Sequence, residues 1–188
     1  MVVSTKTLFP DGIKEGFIVK DKENLLEIIV ANSEFKERGT VEEDESYQQI
    51  VAQIILIVRD KIFIHRIPAS GNESRLHEFW PIFLGGHVNS EDTDIAEGVR
   101  REFKEEIDYK GRIIKEKFAG LIKLHDNAVN KVHVGLVWIY YGNSENFMPT
   151  KDGGLCDGRF VEVSNISSYE EKMTYWSRMF LPHLKNYL

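Results

Sequence analysis

Cysteine is nearly absent from this chain, and its scarcity excludes several classes of protein. The single cysteine, Cys156, cannot form an internal disulfide, which argues against a disulfide-stapled secreted scaffold and favours a reducing, cytoplasmic location. No apolar run approaches the roughly 18 residues of a membrane-spanning helix. The first residues, MVVSTKTLFPDG, also lack the basic start and apolar core of a secretory signal peptide.

An excess of positive charge is missing as well. Lysine and arginine number 24 against 30 aspartates and glutamates, which leaves a formal net charge of −6. Proteins that bind nucleic acid normally present a basic surface, so neither nucleic acid nor a membrane is an expected partner. A negatively charged protein can still bind phosphate compounds if a divalent cation mediates the contact.

The chain has no internal repeat, low-complexity tract or linker rich in proline and serine. Its 188 residues, of which 42% are hydrophobic, are enough for one globular domain. We therefore predict a single domain over residues 1–188, with residues 1–48 as an N-terminal subregion.

Hydrophobic periodicity predicts strands in adjacent pairs, with helices between and after them. The clearest pair is split by a tight turn at Arg59-Asp60, and the clearest helix carries an apolar residue at every fourth position. The predicted strands are 50–58, 61–66, FWPIFLGGHV, 112–124, 131–141 and GRFVEV; the predicted helices are a short one around 25–29, one at 93–107 and a long one from residue 164 to the end. This order predicts an α/β (α+β) fold with a mixed sheet between helices.

Three glutamates cluster in the stretch GGHVNSEDTDIAEGVRREFKEE, residues 85–106. On a helix that turns about 100° per residue, Glu102, Glu105 and Glu106 fall within an arc of roughly 100°. Carboxylates this close repel one another and take up protons unless a cation neutralises them. Carboxylate oxygens are ligands that suit Mg²⁺ or Mn²⁺, so the cluster is a candidate metal site.

Neighbouring residues decide between a metal site and a solvated helix face. Mixed charges on a helix are more often a solvated face with weak i,i+4 pairs. Here, however, Arg101 can hold a carboxylate through a two-point hydrogen bond, and Gly85 and Gly86 permit backbone shapes that could turn a carbonyl toward the same ion. The combination favours the metal site.

The stretch resembles the Nudix box, commonly written G-x5-E-x7-R-E-U-x-E-E-x-G-U with U apolar. Gly86 matches the glycine, and residues 101–106 match R-E-U-x-E-E in order. The segments EDESYQQIVAQIILIVR and YWSRMFLPHL are similar to a branch of the family described as phosphoesterases. The resemblance implies a Nudix-type α/β/α sandwich.

The stretch departs from the Nudix pattern in three ways. Asp92 stands in place of the first glutamate, and eight residues rather than seven separate it from Arg101. Asp108 stands at the late glycine, where a left-handed backbone would suit glycine better than aspartate. We therefore expect the helix to run on toward Gly111.

The resemblance implies hydrolysis of a pyrophosphate bond in a nucleoside diphosphate linked to another group, with Mg²⁺ or Mn²⁺ as cofactor. The metal ligands would be Glu102, Glu105, Glu106 and the Gly85 carbonyl. Arg101 would orient the glutamates, and Glu105 or Glu106 would accept the proton of the attacking water. The resemblance also leaves a homodimer open, paired through the N-terminal subregion.

Residues around the box are candidates for substrate contact. Arg75 and His77 precede the glycine corner and Gly86 and His87 lie on it, although Arg75 as a surface residue and His87 as a structural one are equally good interpretations. Some Nudix members use a later acidic residue as base. Asp157 and Glu162 are weak candidates for that role, since a loop or surface acid is the commoner explanation of each.

Two other functions compete with hydrolysis. A Nudix-fold module that binds a nucleotide without cutting it would tolerate the inserted residue and Asp108, whereas the intact glutamate triplet favours the enzyme. An isomerase of the isopentenyl diphosphate type would need a reactive cysteine ahead of the box, and Cys156 lies well after it.

Overall fold

The computed structural model describes residues 1–67, 78–150 and 156–188, with the backbone alone for Cys156. Within these residues, nine strands and five α-helices alternate with three 3-10 segments. The strands are β1 (Val2–Ser4), β2 (Gly16–Ile18), β3 (Tyr47–Val58), β4 (Lys61–Arg66), β5 (Ile107–Tyr109), β6 (Ile113–Lys123), β7 (His133–Gly142), β8 (Phe147–Pro149) and β9 (Cys156–Glu162). The helices are α1 (Thr5–Leu8), α2 (Lys22–Asn32), α3 (Ile95–Glu106), α4 (Ala128–Lys131) and α5 (Tyr175–Phe180), and the 3-10 segments are Arg38–Thr40, Val163–Lys172 and Leu181–Tyr187.

Seven strands form one mixed sheet, as the order of predicted elements indicates. The order is β2-β6-β7-β3-β4-β9, and β1 pairs with the beginning of β3. The long central pair β3 and β7 is parallel, and the other pairs in this sheet are antiparallel. The turn between β3 and β4 lies at Arg59-Asp60, where it was predicted, and Arg59 has a φ of 57°. β5 and β8 form a separate two-stranded sheet.

Two apolar cores lie on opposite faces of the large sheet, because side chains alternate along each strand. One core joins the sheet to α1, α2 and α3 through residues such as Leu8, Ile29 and Val99. The other joins it to the C-terminal segments through residues such as Ile166 and Phe180. The fold is therefore the predicted mixed sheet between helical layers.

The C-terminal region corrects one prediction. The long helix expected from residue 164 to the end is interrupted, since Met173 has the extended values φ −85° and ψ 152° between Val163–Lys172 and α5. Pro182, whose ring allows no backbone donor, then lies at the start of the final 3-10 segment. The extended Met173 is therefore the one backbone break in this stretch, whereas Leu181 keeps a helical backbone where α5 passes into the final 3-10 segment.

The stretch FWPIFLGGHV is another correction. It was predicted as a strand, but only isolated bridges join it to β3, at Leu84 to Ile54 and at His87 to Val51. The glycine pair between these bridges turns the backbone out of a regular ladder. Within the described residues, no helix is long and apolar enough to cross a bilayer.

Candidate metal centre beside the glycine corner

The glycine corner lies against β3 and α3 too closely for any side chain. Gly85 has a φ of +136°, and a Cβ there would lie 2.2 Å from the Ala52 carbonyl oxygen. A Cβ on Gly86 would lie 2.5 Å from Oε2 of Glu102. The Gly86 carbonyl accepts a hydrogen bond from the Ala52 amide at 2.8 Å. The corner therefore places the chain directly against the carboxylate of Glu102.

α3 begins later and ends earlier than the helix predicted at 93–107. Its N-cap is Asp94, whose side chain accepts a hydrogen bond from the Glu97 amide. The helix ends at Glu106, and Ile107 is already extended with φ −138° and ψ 140°. The expected continuation toward Gly111 is thus wrong. Asp108 lies within β5, where no left-handed backbone is needed.

Asp92 forms a buried ion pair with Arg101 across the inserted residue. Arg101 donates from Nε to Oδ1 at 2.8 Å and from Nη2 to Oδ2 at 2.9 Å, and the Asp92 side chain is only 2% exposed. Asp92 also accepts from the Asn89 amide at 2.7 Å. The guanidinium of Arg101 keeps the pKa of Asp92 below its usual value; burial opposes this shift, and the Asn89 amide supports it. The extra residue is absorbed ahead of the helix, so Asp92 still reaches the arginine.

The same guanidinium holds the first two glutamates of the cluster. Nη1 of Arg101 donates to Oε1 of Glu102 at 2.8 Å and to Oε2 of Glu105 at 3.1 Å. Nη2 also donates to the His87 carbonyl at 2.9 Å, which ties the glycine corner to the helix. Arg101 therefore connects the corner, Asp92 and two carboxylates in one network.

Glu106 differs from these carboxylates because one of its oxygens has no partner. Its Oε2 is buried without a hydrogen bond from any described residue. Burial, and then the charges of Glu102 and Glu105, raise the pKa of Glu106 to about 8. Burial also raises the pKa of Glu102, although Arg101 opposes the shift. Of the three carboxylates at this end of α3, that of Glu106 thus has no partner among the described residues to offset a negative charge on Oε2.

A divalent cation fits the donors at this end of the helix. It would supply the missing partner of the Glu106 oxygen and offset the repulsion among three carboxylates. Among the described side chains, no three of His, Cys, Asp or Glu already lie as a ready chelate. One reason is that Arg101 draws Glu102 and Glu105 toward itself, so a cation would have to compete with the guanidinium for these oxygens.

His87 pairs with a histidine that the sequence did not single out. Its Nε2 lies 3.1 Å from Nε2 of His133, whose Nδ1 is 2.7 Å from the Val129 carbonyl oxygen. Burial, and then the neighbouring His133, lower the pKa of His87 to about 4. Two neutral rings suit this contact, because His133 can donate from Nδ1 and accept at Nε2. His133 lies on β7, 46 positions after His87, and such a separation gives no spacing signal that would have revealed the contact.

The remaining candidates are not brought into the glutamate cluster by any described contact. Arg75 and His77 lie outside the described residues. Asp157 accepts from Arg66 Nε at 2.7 Å, and Glu162 is exposed and accepts from Ser164 at 3.4 Å. Both acids have partners of their own, and both remain weak candidates for a late base.

The part of the chain that contains this site matches a known protein family. A family model described as NUDIX domain matches residues 47–184, which is most of the chain and includes the whole box. The chain belongs to the Nudix family. A relative in Bacillus subtilis (strain 168), protein YmaB, is 26% identical to this Nudix chain over 157 residues, which cover 79% of the chain and 76% of YmaB.

Solved structures share the fold. The Nudix protein Tm1382 superposes on the whole chain with a TM-score of 0.83 and 24% identity, and 98% of Tm1382 is covered. The NUDIX domain of Shewanella oneidensis NrtR, complexed with ADP ribose, has a TM-score of 0.60 and 10% identity over 85% of this chain and 96% of that one. A bifunctional NMN adenylyltransferase/ADP ribose pyrophosphatase from Francisella tularensis, complexed with AMP and a Mn ion, has a TM-score of 0.55 and 17% identity over 88% of this chain and 47% of that one.

Family membership assigns the activity class. The chain is a Nudix pyrophosphohydrolase, a hydrolase of acid anhydrides, and the family generally uses divalent metals. The box with its three carboxylates is the part of the described chain that fits this chemistry.

Proposed function

We propose that this Nudix chain uses Mg²⁺ or Mn²⁺ to hydrolyse a phosphoanhydride bond in a nucleoside diphosphate linked to another group. Glu102, Glu105, Glu106 and the Gly85 carbonyl would hold the cation. The observation that carries the proposal is the buried, unpartnered Oε2 of Glu106 beside two further carboxylates. Without a cation, Glu106 must either keep its proton or carry an unpartnered buried charge.

The chemistry divides between the cation and the chain. A bound divalent cation neutralises phosphate charge and makes a bound water more acidic, so that hydroxide is available near neutral pH. Arg101 positions Glu102 and Glu105 through its Nη1 and fixes the corner through the His87 carbonyl. Glu105 or Glu106 would accept the proton of the attacking water, which requires hydrogen-bond reach of that water.

Burial favours Glu106 as the group whose protonation governs the site. With a pKa near 8 it holds its proton at neutral pH until a cation displaces it. Glu105 is exposed and bonds only the edge of the guanidinium, so it can swing toward a ligand at little cost.

The substrate is proposed by class. Solved Nudix structures of the same fold contain ADP ribose in one case and AMP with Mn in another. A nucleoside diphosphate joined to a sugar is therefore the first compound to test. In this proposal His87 and Gly86 would line the entrance to the cluster; Arg75 and His77, which lie outside the described residues, stay candidates for substrate contact on the sequence alone.

A substrate panel tests the proposal. The purified chain is assayed with Mg²⁺ or Mn²⁺ against ADP-ribose, NADH, nucleotide sugars, dinucleoside polyphosphates, coenzyme A and nucleoside triphosphates. We expect release of nucleoside monophosphate or phosphate from at least one compound, and loss of that release in EDTA. Metal-dependent binding of a panel compound without any product would instead make the chain a binding module and reject the proposal.

A further inference from the structure

The helix that carries the glutamate cluster ends without a cap of its own. α3 closes with the hydrogen bond from the Ile107 amide to the Phe103 carbonyl, and Ile107 is already extended. Helices commonly end on a left-handed residue, usually glycine, and backbone amides there satisfy the last carbonyls. Here the chain passes directly into β5, so the carbonyls of Glu105 and Glu106 receive no donor from within α3.

The residues that would continue the helix pair with another segment instead. Tyr109, four positions after Glu105, pairs with Phe147 in the β5–β8 sheet. The amide of the next residue, Lys110, donates to the Asn146 carbonyl at 3.0 Å. The end of α3 therefore needs a donor from elsewhere in the chain.

Electrostatics also acts against the last turn of α3. The C-terminal end of a helix carries partial negative charge, which favours cations and disfavours carboxylates. The last turn nevertheless holds Glu105 and Glu106, with Lys104 as its basic residue. The turn that presents two of the proposed metal ligands is therefore prone to unwind.

Thr150, the residue after β8, supplies a donor at this end of the helix. Its hydroxyl donates to the Glu105 carbonyl, and the Glu106 carbonyl oxygen lies 3.3 Å from the same Oγ1. Thr150 and Glu105 are 45 positions apart in the sequence, so no local pattern predicts the contact. One side chain thus contacts the backbone of both glutamates in the last turn.

The surroundings of β8 hold Thr150 in place. The residue before Thr150 pairs with Ile107, which ends α3. The Phe147 ring packs 4.8 Å from the ring of Phe63 on β4 and 6.2 Å from the ring of Phe160 on β9. These ring contacts join β8 to the large sheet, so the Thr150 hydroxyl fastens the end of α3 to a rigid element.

We propose that Thr150, which lies outside the Nudix box, is a positioning residue for the metal centre. Each residue of an α-helix turns about 100°, so unwinding of the last turn would rotate Glu105 and Glu106 away from the side on which Glu102 lies. The Thr150 hydroxyl opposes this unwinding and keeps the three carboxylates within reach of one cation. The inference rests on the proposed function, because it concerns the same carboxylates.

Thr150→Val tests the hydroxyl, because valine has a similar shape and donates no hydrogen bond. Isothermal titration calorimetry should show Mg²⁺ affinity about threefold to tenfold weaker than in the wild type, the range expected for one lost hydrogen bond. With saturating Mg²⁺, kcat should fall by a similar factor while KM changes little, since Thr150 holds the metal ligands and not the substrate. Thr150→Ser retains the donor and should restore wild-type affinity and kcat.

Thr40→Val is the matched control. The Thr40 hydroxyl donates to the Glu37 carbonyl at 2.7 Å, so the same kind of hydrogen bond is lost at a place away from α3. Mg²⁺ affinity and kcat should stay at their wild-type values in this variant.

Hydrogen exchange in the metal-free protein measures the last turn without any activity. The Ile107 amide closes α3 by donating to the Phe103 carbonyl. This amide should exchange about threefold to tenfold faster in Thr150→Val than in the wild type or Thr40→Val, because local unwinding then breaks one hydrogen bond fewer.

Any of the following results would overturn the inference: equal Mg²⁺ affinity in Thr150→Val and the wild type, a Thr150→Ser variant as weak as Thr150→Val, an unchanged exchange rate of the Ile107 amide, or a change in KM without one in kcat. If the wild type still hydrolyses a substrate, such a result counts against the role of Thr150 alone. A wild type that neither binds Mg²⁺ nor forms product would instead refute the proposed function, and the inference with it.

Discussion

The two ends of α3 treat their carboxylates in opposite ways. At the N-terminal end, Asp92 is buried but fully bonded, by two nitrogens of Arg101 and by the Asn89 amide, and its pKa is lowered. At the C-terminal end, Glu106 is buried with one oxygen unpartnered, and its pKa is raised to about 8. The first end is complete as a protein structure, whereas the second requires a proton or a cation.

One arginine, Arg101, bonds carboxylates at both ends. Two hydrogen bonds to Asp92 fix Arg101 in place. From that position it donates hydrogen bonds to Glu102 and Glu105, and none of its described hydrogen bonds goes to Glu106. Two of the departures from the Nudix pattern, Asp92 and the inserted residue, lie at the N-terminal end, where the ion pair with Arg101 still forms. A shorter acid and one inserted residue at the N-terminal end change the loop but retain the ion pair.

The largest expected effect comes from removing Arg101 and with it the ion pair to Asp92 at the N-terminal end. Arg101→Ala leaves Asp92 buried without its cationic partner, which should lower the free energy of unfolding by about 3 kcal/mol or more. Chemical denaturation of the metal-free protein measures it. Arg112→Ala, an exposed arginine, is the control and should change stability by less than about 0.5 kcal/mol. Equal losses in the two variants would mean that the Asp92 pair is not the special feature described above.

The next largest effect is on turnover and comes from changing Glu105 or Glu106 at the C-terminal end of α3. Glu105→Gln and Glu106→Gln should each lower turnover of the identified substrate by about two orders of magnitude or more, in the range known for acid–base groups. Above about pH 8, where Glu106 loses its proton, metal-free Glu106→Gln should also be at least as stable as the wild type, since an uncompensated buried charge is removed.

Glu97→Gln, on the same helix, provides the matched control for turnover. Its side chain accepts from the Thr93 amide, which glutamine can also do, so the capping contact survives. Undiminished turnover in both cluster variants would remove these glutamates from the mechanism.

The smallest expected effect is the pH dependence of Mg²⁺ affinity, which tests the role of Glu106. Glu106 keeps its proton up to about pH 8, so a cation must displace that proton at lower pH. Affinity for Mg²⁺ should therefore rise with pH between 6 and 8, by up to about tenfold per unit. Calorimetric titrations of the wild type and Glu106→Gln measure this. The variant should bind Mg²⁺ more weakly and with a flatter pH dependence; an identical dependence in the two would assign the proton to another group.

Strong periodicity in the sequence was enough to predict much of the fold. The stripe of Ile95, Val99 and Phe103 predicted α3, and the alternating apolar runs predicted β3 and β4 with the turn at Arg59. Failures occurred where backbone geometry opposed the pattern. The helix predicted from residue 164 is broken at the extended Met173 and becomes a 3-10 segment at Leu181; the periodicity predicted neither, because neither changes the spacing of apolar residues.

The candidate site shows the same division. The types and spacing of Glu102, Glu105 and Glu106 were enough to predict a cation-binding cluster on one side of a helix, because helical geometry fixes which residues share a side. Which carboxylate is satisfied and which is not could not be read from spacing. It depends on Arg101 being anchored by Asp92, and on the glycine corner pressing against Glu102.

The sequence by itself determined the family, the mixed architecture and the acids that face one another, since these follow from local periodicity and motif. Only the tertiary structure decided the raised pKa of Glu106 and the pairing of His87 with His133. Burial and partnership are set by segments distant along the chain, and a linear pattern contains no measure of either.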